Sequence, residues 1–195
     1  RGHLAGDAST DYPRTMQVRQ LNGADAEEYR RLRLEGLRDT PTAFGSSYEE
    51  SEHRPLEEYA RRLEPTERTA VFGAFDHGAL VGTVGVYRET GLKERHKAVL
   101  WGMYVTSSSR RGGIGRLLVR SALEAVRTLH GVIQVKLAAE STNEAAIALY
   151  GSFGFRAYGR EERALFVDGR YYDELHMVVF LDGYDQASVA GRGPS

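Results

Sequence analysis

Apolar residues recur along this chain with two different periods, and the switches between them lay out its elements. Met16 to Leu21 alternates as a short strand. Asp25 to Arg38 follows the helical period, with Tyr29, Leu32, Leu34 and Leu37 as its apolar positions. Pro41 to Ser51, holding Phe44, Gly45 and Tyr48, reads as a loop, and Pro55 to Leu63 as a second helix with a proline near its first turn. Thr69–Phe75 and Ala79–Tyr87 alternate as strands around the turn Asp76-His77-Gly78. Ala98 to Val105 is an apolar run rich in β-formers. The next segment returns to helical spacing, with Ile114, Leu117, Leu118, Ala122, Ala125, Val126 and Leu129 on one face. Val132 to Ala139 is a strand with Ile133, Val135 and Leu137 on one side. A helix from Asn143 leads to Phe155, and two last strands flank Asp168-Gly169.

Strand, helix, strand between residues 98 and 139 is a crossover unit, so its two strands should run parallel. The turn that opens the unit's helix is Arg110-Arg111-Gly112-Gly113-Ile114-Gly115. A glycine-rich entry to a helix presents unpaired amides at a positive dipole end, which suits phosphates. Arg110, Arg111 and Arg116 add charge for the same anion. A Walker loop would need Lys-Ser/Thr after its last glycine, but Arg116-Leu117 follow Gly115. The dinucleotide fingerprint would need a third glycine where Leu118 stands. What remains is Arg-x-x-Gly-x-Gly, from Arg110 through Gly113 to Gly115; alone, it is balanced by a solvated surface turn.

A second stretch, Ser141-Thr142-Asn143-Glu144-Ala145-Ala146-Ile147-Ala148-Leu149-Tyr150, precedes Phe153-Gly154-Phe155. Ser141 and Glu144 fit a capping box, and Gly154 suits a helix C-terminus. Asn143, Ile147 and Tyr150 share a helix face, with Asn143 and Tyr150 about 10 Å apart along the axis. By itself such a tyrosine is more often a half-buried core aromatic.

With these two elements in place, the chain resembles the GCN5-related N-acetyltransferase (GNAT) superfamily from about Met16 to Leu181. The first element is similar to its pyrophosphate loop, and the second to its Asn-x-x-Ala-x-x-Leu-Tyr-x-x-x-Gly-Phe helix. The resemblance implies an α/β fold: a mixed, mostly antiparallel twisted sheet with helices on both faces and a splayed parallel strand pair. It implies acetyl-CoA as co-substrate, with Arg110, Arg111, Gly112, Gly113, Ile114, Gly115 and Arg116 at the diphosphate. Met103, Tyr104 and Val105 would give main-chain contacts to the pantetheine arm, and Asn143 would touch that arm. Gly102, odd inside a strand, would mark the family's bulge. Tyr150 would lie near the sulfur as the catalytic acid.

Acetyl transfer by direct attack of a primary amine, from a small molecule or peptide, is the activity implied. A chain with no cysteine suits a route without an acyl-enzyme. The general base is open. Some members carry a glutamate where this chain has Ala138. Glu140, two residues on, is one alternative, although a solvated position ahead of the helix is the commoner fate of such a residue. Glu35, Glu174 or a water chain are others, and His176 reads as structural. Phe44–Tyr48 and Asp168–Asp173 are the expected acceptor walls. Two other classes stand beside this one: a non-catalytic acyl-CoA-binding sensor or interaction module, and a phosphate- or nucleotide-binding protein unrelated to CoA.

Composition narrows the surroundings. With 195 residues and 41% hydrophobic content the chain can bury one core. A net charge of −1 without a basic block argues against bulk nucleic-acid binding. No stretch reaches the roughly 20 apolar residues of a membrane span, and six scattered histidines show no ligand spacing for a metal. The expectation is a cytoplasmic enzyme without membrane or metal, compatible with a homodimer. Residues 1–14 and 183–195 are expected to be disordered, flanking an acetyltransferase domain at 15–182.

Overall fold

The computed structural model describes residues 16–181, so both expected tails lie outside the described residues. Seven strands form one sheet: β1 (Gln17–Gln20), β2 (Thr69–Asp76), β3 (Ala79–Arg88), β4 (Lys97–Val105), β5 (Gln134–Glu140), β6 (Arg156–Val167) and β7 (Arg170–Phe180). Their order is β1-β2-β3-β4-β5-β7-β6, with β4 and β5 parallel and every other pair antiparallel. Five helices accompany them: α1 (Ala26–Asp39), α2 (Tyr48–Glu52), α3 (Leu56–Leu63), α4 (Ile114–Arg127) and α5 (Glu144–Gly151). This is the mixed sheet, with helices on both faces, that the sequence implied.

Two cores lie on opposite faces. On one, α4 inserts Ile114, Leu118, Val119, Ala122, Leu123 and Val126 against Val84, Val86, Ala98, Leu100, Val135 and Leu137. On the other, Tyr29, Leu32 and Leu37 of α1 meet Tyr59 and Leu63 of α3 over Val71, Leu80 and Tyr104. Truncating a fully buried residue such as Leu118 to alanine costs about 2–5 kcal/mol. The apolar stripe of α4 is rotated from the expected one: Leu117 is 37% exposed, while Val119 and Leu123 are buried. The helix also stops at Arg127, short of Leu129.

Other local expectations shift for physical reasons. The Pro41–Ser51 loop contains α2, started by a capping box between Ser47 and Glu50. Ile133 precedes β5 and is exposed, so of the three expected positions Val135 and Leu137 face the core, with Ala139 beyond them. Asn143 caps α5 in place of Ser141: its side-chain oxygen accepts from the Ala146 N–H at 3.1 Å, and the Ser141 N–H donates to Asp173. The β6–β7 turn holds Asp168 at φ 48° and Gly169 at φ 76°, as a tight hairpin requires.

Candidate active site

The parallel pair β4–β5 is joined only from Lys97–Val99 to Gln134–Lys136. Beyond it β5 stays paired to β7 as far as Glu140–Glu174, and β4 to β3 as far as Val105–Gly82. The two strands therefore part, leaving the inner edge of β4 unpaired. A bulge assists: Gly85 pairs with Trp101 but Thr83 with Tyr104, so β4 carries an extra residue there. Gly102 takes it up at φ +63°, a conformation that favours glycine. The Thr106 N–H donates to Val81 on β3, so strand alternation turns the N–H and C=O of Val105 toward the opening.

At the end of this opening stands the N-terminus of α4. Gly113 is its N-cap at φ +80°, with no side chain closing the first turn and no acidic residue in it. The first amides of α4 are thus unfilled donors at a positive dipole end. Arg111 is held at φ 65°, a left-handed conformation that a residue with a Cβ adopts at a cost. Arg116 lies 5.3 Å from the Phe153 ring centroid. Arg110 behaves differently from its neighbours. Its Nε donates to the Val105 carbonyl at 2.9 Å and its Nη2 bonds Asp39 at the end of α1, so it ties the loop to β4 and α1.

One cleft of about 600 Å³ collects most of the expected site. Met103, Tyr104, Val105, Arg110, Arg111, Gly113, Ile114, Gly115, Arg116, Asn143 and Tyr150 all line it, joined by Thr40, Ala43 and Leu149. Gly112, the remaining expected loop position, sits exposed beside Gly113 without lining the cleft. Thr40 and Ala43 gave no advance signal, because they reach the cleft only through the docking of α1.

Tyr150 is 5% exposed, its ring edge-on to Phe155 at 5.9 Å. Burial alone pushes its phenol well above the usual value, so the hydroxyl keeps its proton at neutral pH. No group among the described residues bonds that hydroxyl. Asn143 spends its oxygen on the helix cap, which leaves its amide N–H groups for the cleft.

The carboxylates considered as bases separate clearly. Glu35 accepts from Tyr104 at 3.1 Å and from the Thr106 hydroxyl, and pairs with Arg31 at 3.3 Å. Glu140 is 6% exposed, contrary to the expectation of a solvated residue. It accepts from the Thr142 N–H at 2.9 Å and hydroxyl at 2.8 Å, a tight turn that folds the chain into α5. Glu174 lies opposite Glu140 across β5–β7 and opposite Glu161 across β7–β6. Its carboxyl is raised, by burial first and then by Glu161 and Glu140, against an opposing pull from His176. His176, opposite Ala138, bonds Glu161 at 3.0 Å and carries that carboxylate. Glu161 was not singled out from the sequence, since nothing in an exposed strand marks it before the register is known.

A second cavity of about 790 Å³ joins the Phe44–Tyr48 loop to Ala164–Val167 of β6 and Asp168 of the turn. The Phe44–Tyr48 residues expected near the acceptor line it. The opposite wall is the end of β6, not the turn residues beyond Asp168.

A parted parallel pair with bare helix amides at its mouth is an anion site at the carboxyl ends of the strands. The Acetyltransferase (GNAT) family matches residues 33–155, more than half the sequence. The chain belongs to the GNAT acetyltransferase family. Rat N-acetyltransferase family 8 member 3 is 31% identical over 108 residues, which are 55% of this chain and 47% of that protein. The chain thus spans about half the length of that curated relative. A ribosomal-protein-alanine N-acetyltransferase from Brucella melitensis superposes with a TM-score of 0.68 at 27% identity, covering 85% of this chain and 99% of that one. The Salmonella typhimurium protein yncA, solved with its cofactor acetyl-CoA, gives a TM-score of 0.74 at 21% identity, covering 88% and 96%. Among the described residues no helix is long and apolar enough to cross a membrane.

Proposed function

We propose that this chain transfers an acetyl group from acetyl-CoA to a primary amine of a small molecule or peptide, by direct attack with both substrates bound. The observation that carries the reading is one cleft with uncapped α4 amides at one end and an unbonded phenol, Tyr150, on its wall. The residues present fit the co-substrate. Donors at Ile114, Gly115 and Arg116 and the side chains of Arg111 and Arg116 suit a diphosphate. The open edge of β4 suits an extended amide-bearing arm, with Met103 and Val105 supplying backbone partners and Asn143 an amide donor; the Tyr104 backbone, expected as a third partner, turns to Thr83 on β3.

In the reaction the amine nitrogen bonds to the thioester carbonyl carbon, the C–S bond breaks, and the sulfur leaves as a thiol. The Val105 N–H, facing the opening, stabilises the developing oxyanion. Tyr150 gives its proton to the departing sulfur: a buried neutral phenol next to a forming thiolate is a competent acid. Glu174 accepts the proton lost by the amine, through water. Burial and two carboxylate neighbours raise its carboxyl above the ordinary value, and no hydrogen bond among the described residues occupies it. Positioning supplies a large part of the rate.

A thiol-release screen over amines, amino acids, polyamines, aminoglycosides and peptides tests the proposal. Turnover with at least one amine class supports it. Acetyl-CoA binding with no turnover across the screen would assign the chain to acyl-CoA binding without catalysis, a reading that Ala138 favours. The test of the base is the pH profile, which should rise with pH through the raised carboxyl of Glu174 and lose that limb in Glu174→Gln.

A further inference from the structure

On the face of the sheet away from α4, a cavity of about 430 Å³ opens between α3 and the Thr69, Tyr87 and Trp101 positions of β2, β3 and β4. Arg54, Arg61 and Arg62 line it, with Tyr59 and Trp101 as its apolar wall. The Trp101 indole lies over Gly85, where a Cβ would come within 2.3 Å of the ring, and the Arg62 guanidinium sits 5.4 Å from its centroid.

The charges here differ in their partners from those of Arg19 and Arg160. Arg19 and Arg160 each hold a carboxylate at 2.6 Å. Among the described residues, none of Arg54, Arg61 and Arg62 forms an ion pair, although Glu58 and Glu64 stand in the same wall, and Arg33, outside that wall, forms none either. Arg33 is the extreme case. It is 7% exposed, stacks on Phe44 at 4.2 Å and donates through Nη2 to Ser46 at 2.7 Å, while its buried Nη1 has no partner. Burial first, with smaller contributions from Arg62 and Arg54 against opposing ones from Tyr29 and Tyr59, depresses its guanidinium below the ordinary arginine value. Arginine nonetheless keeps its charge at neutral pH.

We propose that this cavity is an anion site that takes a small organic carboxylate. Arg54 and Arg62 grip the charged end, and the apolar body rests against Tyr59 and Trp101. Two planar forks suit a carboxylate, and an aromatic wall suits a hydrocarbon body over a bare inorganic ion. The carboxylate belongs either to the acceptor amine itself or to a separate effector. The site stands independently of the acetyl-CoA reading.

Trp101 is the one tryptophan of the chain, so its fluorescence reports on this cavity. Titration with benzoate should give a saturable change that neutral benzamide does not give. Arg54→Gln and Arg62→Gln should each weaken it by about tenfold or more, with thermal unfolding showing both variants folded. Benzamide matching benzoate, both variants binding as the wild type does, or saturation by inorganic phosphate alone would each overturn the assignment. Competition between benzoate and the amine in the thiol-release assay gives the carboxylate to the acceptor; benzoate binding without competition gives it to an effector. Calorimetry with acetyl-CoA reads the other cleft, so loss of one result leaves the other standing.

Discussion

Tyr104 and Tyr150 are both 5% exposed, both line the same cleft, and both have phenols pushed well above the ordinary value. Their surroundings differ. The Tyr104 hydroxyl shares its proton between Glu35 at 3.1 Å and Asp39 at 3.2 Å, and its ring packs against Gly36 and Phe44. Asp39 in turn holds Arg110, so this tyrosine belongs to a lattice that fixes α1, β4 and the glycine loop. Tyr150 has no such partner, and burial is the sole cause of its shift. Burial and pKa do not separate the two residues. The vacant hydroxyl does, because only a phenol without a protein acceptor can spend its proton on a ligand.

The comparison is broken most directly by exchanging the hydroxyls. Tyr150→Phe should lower turnover by about 10²-fold or more while acetyl-CoA affinity stays near that of the wild type. Tyr104→Phe should affect turnover far less and cost about 1 kcal/mol of stability in denaturant unfolding, since Glu35 and Asp39 keep other partners. Equal losses of turnover in both variants would erase the distinction. Next in size, Gly113→Ala forces an ordinary residue to φ +80° at the cap of α4. We expect roughly 1–2 kcal/mol of strain and acetyl-CoA affinity reduced about tenfold, read by calorimetry and thermal unfolding together.

The smallest effect sharpens the carboxylate side. Glu174 is raised in the folded state, so folding favours its protonated form; that contribution is full at low pH and fades as pH rises through the raised value. Glu174→Gln should therefore unfold at a higher temperature than the wild type near neutral pH, with the gap closing at acidic pH. A gap that is constant across pH would mean that the carboxyl is not perturbed.

Much of this was legible in the chain because it is local. Arg110 to Gly115 and Asn143 to Tyr150 each carry a turn and a helix start whose chemistry depends on near neighbours, and both ended in one cleft. The strand alternation gave the sheet, and Gly102 gave the bulge. What escaped depends on contacts across long separations. Arg110 was read as a phosphate ligand, but Asp39, 71 residues away, engages it. Glu140 was expected in solvent, but β7 and the Thr142 turn bury it. Arg33 sits on a helix face where sequence spacing counts a charged residue as exposed. Register made Glu161 a neighbour of Glu174, and no pattern within β6 announces that.

The central claim is that the bare amides of α4 hold the diphosphate of the co-substrate. Calorimetric titration with acetyl-CoA, set beside S-acetylpantetheine, which lacks the diphosphate, tests it most directly. One-to-one binding of acetyl-CoA with the shorter thioester at least about tenfold weaker is the predicted result. No heat from acetyl-CoA, or equal affinity for both compounds, would contradict the account.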